Sequence, residues 1–292
     1  MACAGRQLSL VLALAVAALA AAGCGGGSTT QRSVGHGGGS AGRGPPGGGE
    51  MSRYPTLAVP SHVVPRQVRI PILTYHRVHV YATELTKSQP DLTIEPPAFQ
   101  AEMAALHRAG YRTITQRQLF AALYQGAALP PRPVIVSVDD GYVDDVTQIL
   151  PVLKRYGMRA TFYVITGRMH EAGFLRPSQI QMLERSGMDV GAHTRTHANL
   201  PALDPATLRS EVDGSRRDLE RVLGHPVYWF AYPYGAFNAR VVDQVRKAGF
   251  LLAVTTRGGV LATTAAPLEI PRIHVGRTAT ATSVLSLAGG AG

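Results

Sequence analysis

Two short stretches about fifty residues apart carry the chemistry available to this chain: Val136-Ser137-Val138-Asp139-Asp140-Gly141 and His193-Thr194-Arg195-Thr196-His197. The first ends an apolar run in two adjacent carboxylates and a glycine. The second sets two imidazoles four residues apart. Together they supply one carboxylate and two imidazoles for a divalent ion, with a second carboxylate left as a base. Metal-assisted hydrolysis needs that inventory.

Each stretch also has a plainer reading. Asp139 and Asp140 could cap a helix, as Asp144 and Asp145 just after them are expected to do. Histidines at i and i+4 share one face of a helical turn, and such pairs also occur on solvated faces. Adjacent residues at a strand end point in different directions, so one carboxylate can bind metal while the other faces substrate. Gly141 permits a sharp turn there. No Glu follows His193, so the His-Glu-x-x-His pattern of metalloproteases is absent. The base must come from elsewhere, and Asp139 is the candidate. A glycosidase built on Asp139 and Asp140 is disfavoured, because such carboxylates stand about 5 Å or more apart across the bond.

The elements that must position these residues are legible as alternating patterns. Strands are expected near 69–75, 113–115, 134–138, 160–165, 189–192, 228–231, 251–254 and 269–274. Amphipathic helices are expected over 97–109, 145–156, 205–223 and 238–248, with Asp204-Pro205 as an N-cap and first helical residue. Alternation with near-continuous apolar strands indicates a parallel α/β fold, open or barrel. Functional residues in such folds collect at the carboxyl ends of strands. His76, Asp139-Asp140, His193, Tyr234 and His274 all sit at or just past such ends.

The flanks read differently. Residues 1–23 have the pattern of a secretory signal, with Arg6, an apolar stretch to Ala22, and Ala21-Ala22-Gly23 directly before Cys24. That ending resembles a bacterial lipobox and implies lipidation at Cys24; a plain cleaved signal or an uncleaved anchor are the alternatives. Residues 24–65 read as a Gly/Ser/Pro-rich tether, 66–282 as one globular domain, and 283–292 as a flexible tail. The only cysteines are Cys3 and Cys24, which excludes a disulfide or thiolate metal site within the globular part. The net charge of +10 is spread without a Lys/Arg block, which suits an anionic envelope or solubility rather than nucleic acid.

Four motifs in register carry a resemblance: Val138-Asp139-Asp140-Gly141, Ala160-Thr161-Phe162-Tyr163-Val164, Gly191-Ala192-His193-Thr194-x-x-His197 and Phe230-Ala231-Tyr232-Pro233-Tyr234-Gly235. They resemble the polysaccharide deacetylases, the NodB-homology domain of carbohydrate esterase family four, across roughly residues 70–274. The resemblance implies a deformed (β/α) barrel that removes acetyl groups from sugars. It implies Asp140, His193 and His197 as ligands of a divalent metal, most often zinc, with nickel, cobalt or manganese compatible. It implies Asp139 as general base, the Tyr234 backbone N–H as oxyanion donor, and a histidine as acid.

Many members carry Arg where this chain has Ala231. Arg272 is then the candidate to tune Asp139. The Phe-Ala-Tyr-Pro-Tyr-Gly form and the early Leu73-Thr74-Tyr75-His76 look like the subgroup acting on β-1,6-linked poly-N-acetylglucosamine in biofilms. That likeness implies His76 as the acid, with His274 as the alternative and a packed histidine as the plain reading. Tyr232, Pro233 and Tyr234 are expected to bind substrate, with Trp229 either beside them or in the core. The expected activity is removal of N-acetyl groups from an extracellular N-acetylglucosamine polymer, by an enzyme lipid-anchored to the outer face of the cell membrane. Peptidoglycan, acetylated xylan or a small cyclic amide are alternative substrates, and a non-catalytic sugar-binding relic is the non-enzymatic alternative. Nothing in the sequence fixes the oligomeric state.

Overall fold

The computed structural model describes residues 54–83 and 90–289. The expected signal and Cys24 lie outside the described residues. Among the described residues no helix is long and apolar enough to cross a membrane.

Eight parallel strands form the main sheet: β1 (Ile72–Tyr75), β2 (Arg112–Thr113), β3 (Pro133–Val138), β4 (Thr161–Val164), β5 (Asp189–Ala192), β6 (Trp229–Ala231), β7 (Leu252–Val254) and β8 (Ile273–His274). Their order is β7-β6-β5-β4-β3-β1-β8, with β2 added on β3. A single bridge between Val254 and Ile270 draws the two ends of the path together. The result is the expected deformed (β/α) barrel, curled, with main-chain hydrogen bonds between residues 253–257 and 267–272 across its seam. The apolar runs are nearly continuous because both faces are buried. Alternate residues split between two cores. Ile72, Ile135, Tyr163, Trp229 and Leu252 fill the inner one, while Leu73, Val136, Phe162 and Phe230 pack outward.

The helices are α1 (Pro96–Arg108), α2 (Gln116–Phe120), α3 (Leu150–Arg155), α4 (Pro177–Arg185), α5 (Pro205–Leu223), α6 (Ala239–Lys247) and α7 (Ala281–Ala288); all but α2, whose Leu119 and Phe120 join the inner core, form the outer layer. Helix α5 starts as expected, with Asp204 accepting from the Ala206 and Thr207 amides. Helices α2 and α4 were not expected. Each begins at a readable signal: a Thr115/Gln118 capping box for α2 and Pro177 in the first turn of α4.

Several expectations need correction. The strand expected over 69–75 is broken at Pro71, which has no N–H to give a ladder; Gln67–Arg69 pairs instead with Leu261–Thr263. Asp144 and Asp145 do not cap a helix with their side chains. Asp144 turns to Arg77 at 2.9 Å and His79 at 3.4 Å, while Asp145 is fully buried with neither carboxylate oxygen hydrogen-bonded. Residues 283–288 of the expected tail belong to α7, which a Thr280/Ser283 capping box starts and whose Val284 and Ala288 are buried in the outer core. The chain also reaches the domain before Arg66: Tyr54 stacks on His225 at 4.2 Å, and the Leu57 amide donates to the Tyr228 hydroxyl.

Candidate active site

The inner row of β3 runs Ile135, Ser137, Asp139 by simple alternation, so Asp139 extends it at the barrel mouth. Asp140 leaves the row through a left-handed backbone, φ 79°, and Gly141 follows at φ 76°. The two carboxylates therefore diverge within one residue. Across the mouth, Arg272 donates to both oxygens of Asp139 at 2.7 Å, to Ser137 Oγ at 3.2 Å and to the Thr255 carbonyl at 3.0 Å. Both partners are buried. The residue expected to tune Asp139 in place of the missing arginine thus makes a bidentate pair with it.

Asp140 meets two imidazoles. His193 Nε2 and His197 Nε2 each lie 3.6 Å from Asp140 Oδ1. His193 directly follows β5, and its Nδ1 lies 2.8 Å from the Ala231 carbonyl. A carbonyl only accepts, so Nδ1 carries the hydrogen and Nε2 offers its lone pair. Ala231, which lacks the family's arginine side chain, serves the site through its backbone. The two histidines do not lie on a helix, contrary to the simplest reading of their spacing. They flank a loop in which Thr194 and His197 have φ of 63° and 62°.

Backbone strain gathers here. Five described non-glycine residues have left-handed φ, and four of them, Asp140, Thr194, His197 and Tyr234, build this site. Such conformations cost about 1–3 kcal/mol each and persist where surrounding structure imposes them.

The electrostatics separate the two aspartates. Burial alone would raise Asp139, but the charge and hydrogen bonds of Arg272 outweigh it and hold the carboxyl well below the usual range. Burial and the charge of Asp139 push Asp140 up to about 7. Burial lowers His193 and His197 to about 4, so both are neutral ligands at neutral pH. Asp140 Oδ1 is buried and has no hydrogen-bond partner. One orphaned carboxylate oxygen facing two neutral nitrogens is the donor set of a divalent cation, and a cation would favour the ionised form that burial opposes. The residues fit a metal.

The whole cleft, about 470 Å³, is also bordered by Thr74, His76, Asp91, Thr256 and His274. His76 Nε2 stands 4.0 Å from Asp139 Oδ2. His274 is turned outward, 3.1 Å from Asp91, and its ring centre is 6.0 Å from that of His76. The Tyr234 ring is 61% exposed and packs edge-on to His197 at 4.5 Å. Tyr232 departs from its expected stacking role, while Trp229 takes the core alternative. The Tyr232 ring is fully buried with its hydroxyl given to the Leu268 carbonyl, and Trp229 lies in the inner core. Pro233 is buried in the turn and offers no stacking face. Of the expected sugar-stacking surface only Tyr234 stands free.

The polysaccharide deacetylase family model matches residues 126–253, the segment that carries Asp139, Asp140, His193, His197 and Tyr234. That segment is a polysaccharide deacetylase domain. The Streptococcus pyogenes deacetylase PplD, solved in complex with acetate, is 27% identical, with a TM-score of 0.71 over 76% of this chain and 99% of that one. IcaB from Ammonifex degensii is 26% identical, with a TM-score of 0.63 over 75% of this chain and 95% of its own. The poly-β-1,6-N-acetyl-D-glucosamine N-deacetylase of Staphylococcus aureus (strain MRSA252) is 22% identical across 70% of this chain and 77% of its own. The chain is thus a polysaccharide deacetylase. His76, Arg272 and His274 lie outside the matched segment, and the fold brings them to it.

Proposed function

We propose that this deacetylase hydrolyses N-acetyl groups of a poly-N-acetylglucosamine outside the cell, using a divalent metal held by Asp140, His193 and His197. One observation carries the mechanism. An orphaned Asp140 oxygen faces two neutral imidazoles, beside a second aspartate that Arg272 keeps ionised. Zinc is the favoured ion, with nickel, cobalt and manganese compatible with a nitrogen/oxygen donor set.

Bound there, the ion would polarise the acetyl carbonyl and acidify a water. The chain's own groups do the rest. Asp139 accepts the proton of the attacking water; its plane is fixed by Arg272, and its weak basicity lets it pass the proton on. His76, 4.0 Å from Asp139 Oδ2, is held neutral by burial, which lowers it to about 4, so it would relay to the leaving amine the proton that Asp139 takes from the water. His274 faces Asp91 and the cleft rim instead, which favours His76 as the acid. The Tyr234 amide, in a turn forced left-handed, supplies the oxyanion donor, and its exposed ring offers the sugar a stacking face.

The relative named for poly-β-1,6-N-acetyl-D-glucosamine supports the β-1,6 polymer as substrate. The leader pattern and Cys24 support export and lipid anchoring on the outer face of the membrane. The test is release of free amine from β-1,6- and β-1,4-linked N-acetylglucosamine oligomers, peptidoglycan and acetylxylan, with and without chelator. Chelator-sensitive amine release, greatest on the β-1,6 oligomer, is expected. Greater turnover on peptidoglycan, or acetate release from xylan alone, would replace the substrate. Full activity in chelator would remove the metal.

A further inference from the structure

The loop that delivers His197 is held from outside the cleft. Five of its main-chain groups have partners. The Thr166 amide donates to the Thr194 carbonyl at 3.0 Å, and the Gly167 amide to the Arg195 carbonyl at 2.8 Å. The His197 amide donates to Thr194 Oγ1 at 3.0 Å. The Arg195 and Thr196 amides go to one carboxylate. Glu211 Oε2, on α5, accepts from the Arg195 and Thr196 amides at 2.9 Å each, and Oε1 accepts the Thr196 hydroxyl at 2.8 Å. Glu211 is buried and spends its acceptors on this loop.

Two further features of α5 serve the same loop. Asp218, two helical turns on, receives the Arg195 guanidinium at 2.8 Å and 2.9 Å. Between them lies Gly214, in mid-helix where glycine is unfavourable. A Cβ there would stand 2.5 Å from Arg195 Nε and 2.7 Å from Cζ, so the glycine is the groove through which Arg195 crosses the helix. Three positions of one helix face, spaced by three and four residues, are thus shaped to a single loop. That loop has two left-handed residues, Thr194 and His197, and the second carries the imidazole.

We propose that Glu211 is a positioning residue for the metal: through the amides of Arg195 and Thr196 it holds His197 Nε2 against Asp140 and His193. The Arg195–Asp218 pair in the Gly214 groove supports it. The proposal rests on the reading of Asp140, His193 and His197 as metal ligands. Glu211 touches neither ion nor substrate.

The test is Zn2+ binding to the metal-free full chain by competition titration, with thermal melts of the same samples. Glu211→Ala is expected to weaken Zn2+ about 10–100-fold, the usual range for groups that orient metal ligands. Glu211→Gln keeps a carbonyl for the two amides and an amide N–H for the threonine oxygen, so it should bind within about threefold of wild type. Gly214→Ala favours the helix yet drives Arg195 off Asp218, so affinity should fall without a lower melting temperature. Wild-type affinity in Glu211→Ala, or equal weakening in Glu211→Gln, would overturn the proposal. Should Glu211→Ala not fold, unchanged affinity in Gly214→Ala overturns it instead. His193→Ala separates the underlying reading: undiminished Zn2+ binding there would mean the metal lies elsewhere.

Discussion

The two halves of the active site are held by opposite means. On the base side, Asp139 continues a strand row without a left-handed turn and is gripped by Arg272, 133 residues away in sequence and just as buried. On the metal side, Asp140, Thr194 and His197 all sit in left-handed backbone on loops, and His197 is fastened by a helix behind it. The base is therefore placed by the core of the barrel, while the ligands are placed by strained loops and their clamps. Damage to the first should unfold the protein. Damage to the second should leave a folded protein with a poor metal site.

The largest effect is expected at Arg272. Its removal leaves a buried carboxylate without its cation, and breaking a buried pair costs about 3–5 kcal/mol. Urea unfolding of metal-free Arg272→Ala should show that loss, together with loss of turnover. His197→Ala should change unfolding by about 1 kcal/mol or less, since its side chain is 24% exposed and its neighbours are loops. The double variant Asp139→Leu/Arg272→Met should regain most of the stability while remaining inactive, because apolar groups can replace a buried pair at little cost. Equal losses for Arg272→Ala and His197→Ala would erase the distinction between the two halves.

A smaller, purely chemical effect should separate the adjacent aspartates. Asp139→Asn is expected to lower kcat about 10²–10⁴-fold, the usual contribution of a general base. Its zinc content should stay at the wild-type level, because the orphaned oxygen belongs to Asp140. Asp140→Asn should do the reverse in order, losing zinc first and turnover as a consequence. Elemental analysis beside the kinetics decides it. Zinc loss in Asp139→Asn would mean that the pair acts as one ligand group and that the roles do not split.

The cluster of Asp139, Asp140 and His193 was legible because its members follow strands whose apolar runs are themselves legible. Asp139-Asp140 ends β3, and His193 ends β5, so topology alone brings them together. Arg272 could be suspected only from the arginine missing at Ala231; its grip on both oxygens depends on the barrel seam near Ile270, which no local pattern encodes. Glu211 was invisible. It lies 16 residues past Arg195 and reads as one more acid on a polar helix. The one signal that could have led to it is Gly214, a mid-helix glycine with no local reason. Asp144 misled for the converse reason. Its sequence neighbours favour a cap, but Arg77, from a separate two-stranded sheet with Thr93–Ile94, takes its carboxylate.

The smallest effect lies beneath the base side. Tyr75, directly before His76, donates at 3.0 Å to Glu102 of α1, whose other oxygen is buried without a partner. Burial pushes the Glu102 carboxyl up to about 7, against the lowering effect of that hydrogen bond. Between its ordinary value of about 4.5 and about 7, the folded protein therefore holds a proton that the unfolded chain has released. Its contribution to stability falls as pH rises through that window. Asp139 acts with the opposite sign: its carboxyl is held low, so its contribution is present above its ordinary value and lost as pH falls toward the folded value. Glu102→Gln keeps a carbonyl for Tyr75 and cannot ionise. In metal-free protein, the stability of Glu102→Gln relative to wild type should grow from pH 5 to pH 8, and the acid limb that reports Asp139 should not move. A difference that stays flat across the window would mean that Glu102 is already ionised in the fold. The alkaline sensitivity of the base side would then have to come from the cleft itself rather than from α1 beneath it.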